Sequence, residues 1–279
     1  MDAKKLHNDL FIWDCHRDVG YEIPPEERKL SARIRGVDLN LEDVRKGGID
    51  VQVYALCMGH NVGLSDTSQT LLELEETLEI LEASTTASAV TSVKEARLAR
   101  EDGKTAAFLA FEGAHPIGRE ISLLRAFHRL GIRVMGLSWN NTAVANGTSE
   151  GRNAGGLTNF GRKVIEEMQN LPMIIDLSHV TESAIEEVAK MTKLPLLYSH
   201  GCARTLNDHR RCSSDHILEK IAKSGGVFCI TSVPAFLSSK PPGEVTIEDM
   251  VNHIDYAVKI MGIDHVGLGA DCPPYWCSL

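Results

Sequence analysis

The sequence lacks any apolar run of the ~18–20 residues that a membrane-spanning helix requires. The first nine residues are polar and include Lys4, Lys5 and His7, so they lack the apolar centre of a secretory signal peptide. The seven cysteines are odd in number, scattered, and form no Cys-x-x-Cys pair. These absences predict a cytoplasmic protein with reduced thiols, no membrane contact and no structural zinc ribbon.

An excess of positive charge is also missing. The net charge is −9 and no basic stripe is present, so we expect no nucleic-acid partner. The hydrophobic fraction of 43% and the charged fraction of 24% are ordinary for a globular protein. Because no low-complexity segment or linker divides the chain, we interpret residues 1–279 as a single domain.

Eight short apolar runs alternate along the chain with stretches of helical periodicity. Most of the runs are continuous rather than alternating, which is typical of parallel strands covered by helices. The runs are Leu10–His16, Val51–Cys57, Ala106–Glu112, Arg133–Trp139, Met173–His179, Leu196–His200, Val227–Thr231 and His265–Asp271. This alternation predicts an α/β fold, and eight strands favour a (β/α)8 TIM-type barrel over a doubly wound open sheet.

Apolar stripes at helical spacing predict the helices that cover such a sheet. The stripes span Leu71–Leu81, Phe160–Leu171 and Ile247–Met261, and each is expected to pack against the strands. Thr158 and Thr181 stand where helices should begin after the fourth and fifth strands. Their hydroxyl groups are suited to capping the first backbone N–H groups of those helices.

Polar side chains stand at the ends of the apolar runs. They are His16, Asp18, Glu112, His179, His200 and Asp271. In a barrel these ends converge on the C-terminal mouth, and His16 and Asp18, two residues apart on a strand, would point the same way. Histidine and carboxylate ligands suit zinc and similar divalent ions. The five of these residues other than Asp271 exceed the needs of one tetrahedral ion with an open position, so we predict two ions that share a bridging carboxylate.

Five segments, in order along the chain, resemble the membrane (renal) dipeptidase family of zinc amidohydrolases. They read FIWDCHRDV, AFEGAHPIG, MIIDLSHVTESAIEEV, LLYSHGCARTLNDHRR and HVGLGAD and extend from about residue 10 to residue 271. The resemblance implies that His16 and Asp18 bind one zinc ion, that His179 and His200 bind the other, and that Glu112 bridges them. It also implies that Arg211 holds the substrate carboxylate and that Asp271 moves a proton between the bridging water and the leaving amine. The resemblance also implies that the barrel is of the metallo-dependent hydrolase kind. The implied reaction is dipeptide hydrolysis by a hydroxide bound between two zinc ions.

Two positions depart from the pattern of the animal dipeptidases. A family histidine after the fourth strand is replaced by Trp139 or Asn140, as in microbial members, and we expect Asn140 to donate a hydrogen bond to the substrate. The final family motif, Asp-Phe-Asp-Gly, is replaced by Asp-Cys-Pro-Pro from Asp271 onwards. We therefore expect a chain truncated after the eighth strand, without its last barrel helix, and a homodimer is one arrangement that would cover the exposed strand.

The remaining histidines and serines are given simpler roles. We expect structural roles for His60, His128, His209, His216, His253 and His265. For His115, in the loop after Glu112, a supporting contact to a ligand is an alternative to a structural role. Ser178 and Ser199 each precede a histidine on a strand. Because neighbouring side chains on a strand point to opposite sides, both serines are expected to point away from those histidines.

Other functions remain open at this point. The nearest alternative to a dipeptidase is another amidohydrolase, such as an N-acyl-amino-acid deacylase. A catalytically impaired binding protein is a second alternative, suggested by the altered C-terminal motif. A phosphate-binding barrel is disfavoured, because TSVPAFLSS rather than a glycine-rich loop follows the seventh strand.

Overall fold

The apolar runs become the parallel strands of a closed barrel in the computed structural model, which describes residues 2–19, 33–34, 37–38, 41–56, 65–140, 142–148 and 155–271. The eight barrel strands are β1 (Trp13–Val19), β2 (Val51–Leu56), β3 (Thr105–Phe111), β4 (Ile132–Gly136), β5 (Ile174–Asp176), β6 (Leu197–Ala203), β7 (Val227–Ile230) and β8 (Val266–Leu268). Each strand pairs in parallel with its neighbours in chain order, and β8 closes the barrel by pairing with β1. The predicted (β/α)8 TIM-type barrel is therefore confirmed.

Helices alternate with the strands. They are α1 (Ala3–Asp9), α2 (Leu41–Lys46), α3 (Asp66–Glu82), α4 (Val93–Glu101), α5 (Ile121–Arg129), α6 (Asn159–Asn170), α7 (Glu182–Met191), α8 (Asp215–Lys223), α9 (Pro234–Leu237) and α10 (Ile247–Met261). Short strands at Ala87–Ala89 and Cys212–Ser213 extend the sheet from β3 and β6, and Arg33–Ile34 pairs with Val37–Asp38. Among the described residues, no helix has both the length and the apolar character needed to cross a membrane.

Strand β3 shows how the two faces of the sheet are used. One side packs outwards, where the ring of Phe111 meets that of Phe127 of α5 edge-on at 4.8 Å. The other side carries Ala106, Phe108 and Ala110 in a second buried cluster. Trp13 of β1 stacks on Phe108 in this cluster, with ring centroids 5.5 Å apart. Glu112 continues the same two-residue alternation, so β3 delivers its carboxylate above an apolar layer.

The strand ends differ from the predicted ones. Strand β1 continues to Val19, so His16 and Asp18 lie within it, and its register with β2 shifts by one residue between Asp14 and Arg17. Strand β5 stops at Asp176, three residues before His179, whereas β6 continues past His200 to Ala203. Apolar runs mark where a strand is buried, but hydrogen bonds to its neighbours decide where it ends.

The predicted helix caps are present. The Thr158 hydroxyl accepts a hydrogen bond from the Gly161 N–H at 2.9 Å, and that of Thr181 accepts one from the Ala184 N–H at 3.3 Å. Two of the apolar stripes are less buried than predicted, because Leu71 of α3 and Val251 of α10 are exposed. His253 takes the inward position on α10 instead. Its ring binds the Ala203 N–H and the Leu237 carbonyl, at 3.1 and 2.9 Å.

Some predictions concern positions that the structure does not describe. His60 lies in the segment 57–64, and residues 272–279 follow the last described residue, Asp271. The altered C-terminal motif and the expected absence of a last helix therefore fall outside the described residues. The single-domain interpretation and the homodimer stay predictions.

Candidate metal centre

Six buried or nearly buried side chains meet at the C-terminal mouth of the barrel. Their ligand atoms form three overlapping groups, and within each group the atoms lie within 4.8 Å of one another. The groups are His16, Asp18 and Glu112; Glu112, His179 and His200; and His16, His200 and Asp271. Every residue predicted to hold a metal is therefore in this cluster, together with Asp271.

The carboxylate of Glu112 lies at the centre of the cluster. Its Oε1 atom is 2.7 Å from Nε2 of His179, 3.5 Å from Nε2 of His200 and 3.6 Å from Nε2 of His16. The two Nε2 atoms of His179 and His200 are themselves 2.8 Å apart. Three imidazoles thus present the same ring nitrogen to one carboxylate, which belongs to two of the three groups.

Strand β1 positions His16 and Asp18. Oδ1 of Asp18 lies 3.2 Å from Nε2 of His16. Behind them, Oδ1 of buried Asp14 accepts the N–H of His16 at 3.2 Å and the N–H of Ala270 at 2.9 Å. Asp14, which the sequence reasoning missed, therefore joins the ligand-bearing part of β1 to the segment that carries Asp271. A carboxylate inside an otherwise apolar run was the available signal.

His179 is held in an uncommon backbone conformation. Its φ is 68°, in the left-handed region that side chains other than glycine rarely adopt, at a cost of ~1–3 kcal/mol. The N–H of Thr148 donates to the His179 carbonyl at 2.7 Å, and Gly147 pairs with Val180. A Cβ atom at Gly147 would lie only 2.3 Å from the Asn140 carbonyl oxygen, so this approach requires glycine. The loop after β4 thereby fixes the turn that carries His179.

Asp271 is likewise held by its backbone. Its φ is 52°, and its N–H donates to the His16 carbonyl at 3.1 Å. The two carboxylate oxygens lie 3.9 Å from Nε2 of His16 and 4.0 Å from Nε2 of His200. Asp271 therefore faces the space between two histidines rather than pairing closely with either.

The side chain of Ser199 lies on the opposite side from the one that strand alternation predicted. Its hydroxyl lies 2.9 Å from Nδ1 of His200 instead of pointing away from that ring. The reason is a shift by one residue in the register of β6 against β7, between the pairs Tyr198–Phe228 and Gly201–Ile230. The shift interrupts the simple alternation of side chains at Ser199 and His200. Behind Ser199 lies buried Asp176, a second carboxylate that the sequence reasoning did not assign.

The electrostatics of the cluster favour positive charge on His16. Burial alone would lower its pKa, but the hydrogen bond to Asp18 and the charges of Glu112 and Asp271 outweigh burial and raise the pKa to about 10. For two of the carboxyl groups, by contrast, the charged form is disfavoured. Burial and the neighbouring Glu112 raise the pKa of Asp18, and burial, opposed by His16, raises the pKa of Asp271 to about 7.

The other two histidines are kept neutral. Burial lowers the pKa of His179 and of His200 well below the usual range, and Arg211 and the charged His16 add to this effect. A neutral imidazole has one free nitrogen lone pair, the form in which histidine binds a metal. The mouth therefore combines two neutral imidazoles, His179 and His200, with two carboxyl groups whose pKa values are raised, Asp18 and Asp271.

Arg211 supplies a cation beside the cluster. Its guanidinium carbon lies 5.0 Å above the Phe236 ring. Its Nε and Nη2 atoms are buried, and within the described part of the chain neither has a hydrogen-bond acceptor. Buried guanidinium donors without acceptors are costly, so this geometry suits an anionic ligand. The adjacent Arg210 is exposed.

The loop after β4 contributes an aromatic ring rather than a clear amide contact. The Trp139 ring lies 6.4 Å from that of His179, at an angle of 44°. Asn140 is exposed and follows Trp139 in the loop. The structure thus places Trp139 beside the cluster, and the predicted hydrogen bond from Asn140 to a substrate stays a prediction.

The histidines outside the cluster have other contacts. His209 stacks on Phe236, His216 pairs with Glu186, and His265 binds the Gly226 carbonyl. His115 begins the short helix His115–Ile117 that follows Glu112, and it belongs to none of the three ligand groups. The structural roles predicted for His209, His216 and His265 agree with these contacts.

The donor set fits divalent cations. Borderline ions such as zinc favour imidazole nitrogen and carboxylate oxygen, and the cluster offers both. Burial and the neighbouring carboxylates raise the pKa values of Asp18 and Asp271, and a bound cation would offset both effects. Glu112 belongs to two of the three groups.

Comparison with known sequences yields one family and several relatives. The membrane dipeptidase family (peptidase family M19) matches residues 1–274. The dipeptidase tcpJ of Claviceps purpurea is 38% identical over 171 residues, which are 61% of this chain and 40% of that protein. An uncharacterized dipeptidase of Schizosaccharomyces pombe, C965.12, is 34% identical over 62% of this chain and 42% of that protein. The chain therefore aligns with about two fifths of the length of these relatives.

Solved structures share the fold. An amidohydrolase from Pseudomonas aeruginosa superposes with a TM-score of 0.83 at 28% identity, over 99% of this chain and 78% of that one. A metallopeptidase from Rhodobacter sphaeroides, solved with a phosphinate mimic of the dipeptide L-Ala-D-Ala, gives 0.83 at 23% identity, over 93% of this chain and 85% of that one. Since the family match covers nearly the whole chain, this protein belongs to the membrane dipeptidase family, peptidase family M19.

Proposed function

We propose that this chain hydrolyses dipeptides with a free C-terminal carboxylate, using two zinc ions at the mouth of its barrel. His16 and Asp18 would hold one ion, His179 and His200 the other, and Glu112 both. The observation that carries the proposal is the position of Glu112, which belongs to two separate groups of buried ligand atoms. Two ions a few ångströms apart supply a nucleophile from water at neutral pH and polarise a carbonyl group.

Arg211 would select the substrate. Its buried Nε and Nη2 atoms, without acceptors among the described residues, form a planar pair of donors that matches both oxygens of a carboxylate. Phe236 supports the guanidinium from one face, which limits its rotation. A carboxylate held at this point places the adjacent amide bond towards the cluster, so short substrates with one peptide bond fit best.

Asp271 would move the proton. In the metal-free protein burial raises its pKa to about 7, and a carboxyl group at this position is suited to accept and return a proton. Its oxygens face the space between His16 and His200, at 3.9 and 4.0 Å from their Nε2 atoms. From this position Oδ1 or Oδ2 can accept a proton from the attacking water and return it to the departing amine.

The side chains around the cluster would control water and orientation. Trp139 forms an apolar wall next to His179, and its indole N–H can donate to a bound group but cannot accept a proton. The buried position of the ligands keeps bulk solvent from most of the cluster. Weak screening in such a site strengthens the attraction between the substrate carboxylate and Arg211.

Arg211→Ala and Arg210→Ala form a matched pair that tests substrate selection. Two charge-assisted hydrogen bonds are worth about 1.5–3 kcal/mol each, so Arg211→Ala should lower kcat/KM for a free dipeptide by about 10²–10⁴. Arg210→Ala should lower it by less than about threefold, because Arg210 is exposed. The measurement is zinc-loaded hydrolysis of a set of dipeptides and of the same dipeptides amidated at the C-terminus.

The amidated substrates decide between the outcomes. They should be poor for the unmodified protein and should lose little further rate in Arg211→Ala. Equal losses on both substrate sets would contradict the role of Arg211. Faster hydrolysis of N-acetyl amino acids than of any dipeptide would instead favour an N-acyl-amino-acid deacylase, and no hydrolysis of either by zinc-loaded protein would favour a binding role.

A further inference from the structure

A chain of buried hydrogen bonds runs from Asp176 to His200 beneath the cluster. The Ser199 hydroxyl lies 2.6 Å from Oδ2 of Asp176 and 2.9 Å from Nδ1 of His200. Asp176, Ser199 and His200 are 4%, 1% and 0% exposed, so water does not replace these contacts. His200 is the residue whose other ring nitrogen, Nε2, reaches Glu112 and His179.

The direction of each hydrogen bond in this chain follows from the donors available. Oδ1 of Asp176 accepts the backbone N–H groups of Ser199 and Ser178, at 2.9 and 3.1 Å. A carboxylate only accepts, so the single proton of the Ser199 hydroxyl is directed to Oδ2 of Asp176. The Ser199 oxygen can then only accept from His200, which places the ring proton of His200 on Nδ1.

We propose that the Asp176–Ser199 pair is a positioning device that holds His200 with its proton on Nδ1 and its Nε2 lone pair facing the metal centre. Neither residue would touch metal or substrate. Outer partners of this kind commonly fix the ring orientation of a metal-binding histidine, and their loss typically weakens metal binding by ~10–100-fold. The role in metal binding rests on the proposed function, whereas the ring proton can be located without any metal.

The geometry around His179 agrees with this arrangement. If Nε2 of His200 carries no proton, the short contact of 2.8 Å between the two Nε2 atoms requires the proton to lie on His179. The same proton points towards Oε1 of Glu112, at 2.7 Å. The metal-free protein should therefore hold its two neighbouring histidines in opposite tautomers, with the proton on Nδ1 in His200 and on Nε2 in His179.

Ser178 provides a matched control. Its hydroxyl lies 3.1 Å from that of Ser199 and accepts the backbone N–H of His200 at 3.1 Å, but it makes no described contact with the His200 ring. Ser178 is also as deeply buried as Ser199, at 1%. Removing either hydroxyl therefore disturbs the same region, while only the Ser199 hydroxyl contacts Nδ1.

Asp176→Asn reverses the direction of the chain without changing its shape. The two backbone N–H groups keep the amide oxygen at the Oδ1 position, so the NH₂ group takes the place of Oδ2 and faces Ser199. The Ser199 oxygen must then accept from Asn, and its own proton turns towards Nδ1 of His200. The ring proton should move to Nε2, the nitrogen needed by the metal.

The test uses the full chain and two readouts. Nitrogen NMR of metal-free protein labelled in histidine locates the proton on each ring, with His200→Gln used to assign the His200 signals. Titration with Co²⁺ against a chelator gives metal affinity, and thermal unfolding of each metal-free variant shows that it is folded. We expect Nδ1 protonation of His200 in the unmodified protein and in Ser178→Ala, with Co²⁺ affinities within about threefold of each other.

The variants of the pair should differ from that control. Ser199→Ala should bind Co²⁺ ~10–100-fold more weakly, and folded Asp176→Asn should also show protonation at Nε2. A proton on Nε2 of His200 in the unmodified protein, or equal Co²⁺ affinity in Ser199→Ala and Ser178→Ala, would overturn the proposal. If the unmodified protein binds no Co²⁺ yet carries the proton on Nδ1, the metal centre fails while the orientation of His200 stands.

Discussion

Buried carboxylates at the two ends of the barrel differ in their surroundings. The one at the N-terminal end has arginine partners, whereas two of those at the C-terminal mouth have raised pKa values. At the N-terminal end, Asp50 is 3% exposed and fully compensated. It accepts the Ile12 N–H at 2.9 Å, and its Oδ1 atom lies 3.4 Å from Arg45 and 3.3 Å from Arg100. At the C-terminal mouth, three carboxylates crowd around histidines. The charged His16 acts on Asp18 and Asp271, and Arg211 acts on Asp271.

This difference indicates which buried carboxylate stabilises the fold and which ones are suited to binding a ligand. Removing a buried carboxylate that has two arginines and a backbone donor leaves those groups uncompensated, so such a carboxylate is needed for stability. A group of buried carboxylates with raised pKa values weakens the fold unless a cation binds, so its presence indicates selection for a ligand. Removing a carboxylate at each end should therefore have opposite consequences.

The largest effect is expected at the mouth. Glu112→Gln removes the one carboxylate that belongs to two ligand groups, so it should abolish the binding of at least one ion and lower kcat for dipeptides by about 10³ or more. Elemental analysis and steady-state kinetics measure the two effects. Glu186→Gln, which removes the carboxylate of a surface pair with Lys220, is the control and should leave both near normal. Full metal content in Glu112→Gln would contradict its assigned role.

The next effect is expected at the opposite end. Asp50→Ala should lower the free energy of unfolding by about 2–4 kcal/mol, because the Ile12 N–H loses its acceptor and two half-buried arginines lose their carboxylate partner. Urea unfolding of the metal-free protein measures the change. Metal content per folded chain should stay unchanged. A loss of bound metal without a loss of stability would contradict the separate roles assigned to the two ends of the barrel.

The third effect depends on pH. The pKa of Asp271 is raised from 3.8 to about 7, so in metal-free protein its contribution to stability is present at low pH and is lost as the pH rises towards 7. Asp271→Asn removes this dependence. Its stability relative to the unmodified protein should therefore rise between pH 4 and pH 7, by at most about 1.4 kcal/mol per pH unit.

Unfolding of metal-free Asp271→Asn and unmodified protein at several pH values tests this sign. A relative stability that stays flat, or falls, between pH 4 and pH 7 would show that the pKa of Asp271 is not raised in the folded protein. The comparison with Asp50→Ala is direct, since one substitution should stabilise the metal-free protein near neutral pH and the other should destabilise it.

Much of the fold could be predicted from sequence because burial leaves a local signature. Continuous apolar runs such as Ala106–Phe111 predicted strands, and Thr158 and Thr181 predicted helix starts. The cluster could be predicted because each ligand stands at or near a strand end, where barrel topology brings distant residues together. The resemblance to a known family then assigned a separate role to each residue.

The rest depends on shifts that no local pattern reveals. The register shift in β6 turned Ser199 towards the His200 ring, although strand alternation predicted the opposite. The left-handed backbone of His179 depends on the loop that contains Gly147, more than 30 residues earlier in the chain. Asp14 and Asp176 are single carboxylates within apolar runs, and the sequence does not reveal their hydrogen-bond partners. Those partners, seen in the structure, show that both residues hold segments that carry ligands.

The most direct test of the metal centre is the number of ions bound per folded chain, measured by elemental analysis after gel filtration in trace zinc. Two ions per chain are predicted for the unmodified protein and for Asp50→Ala, with fewer in Glu112→Gln. A folded chain that retains no zinc and no other divalent metal would contradict the assignment of this mouth as a two-metal site.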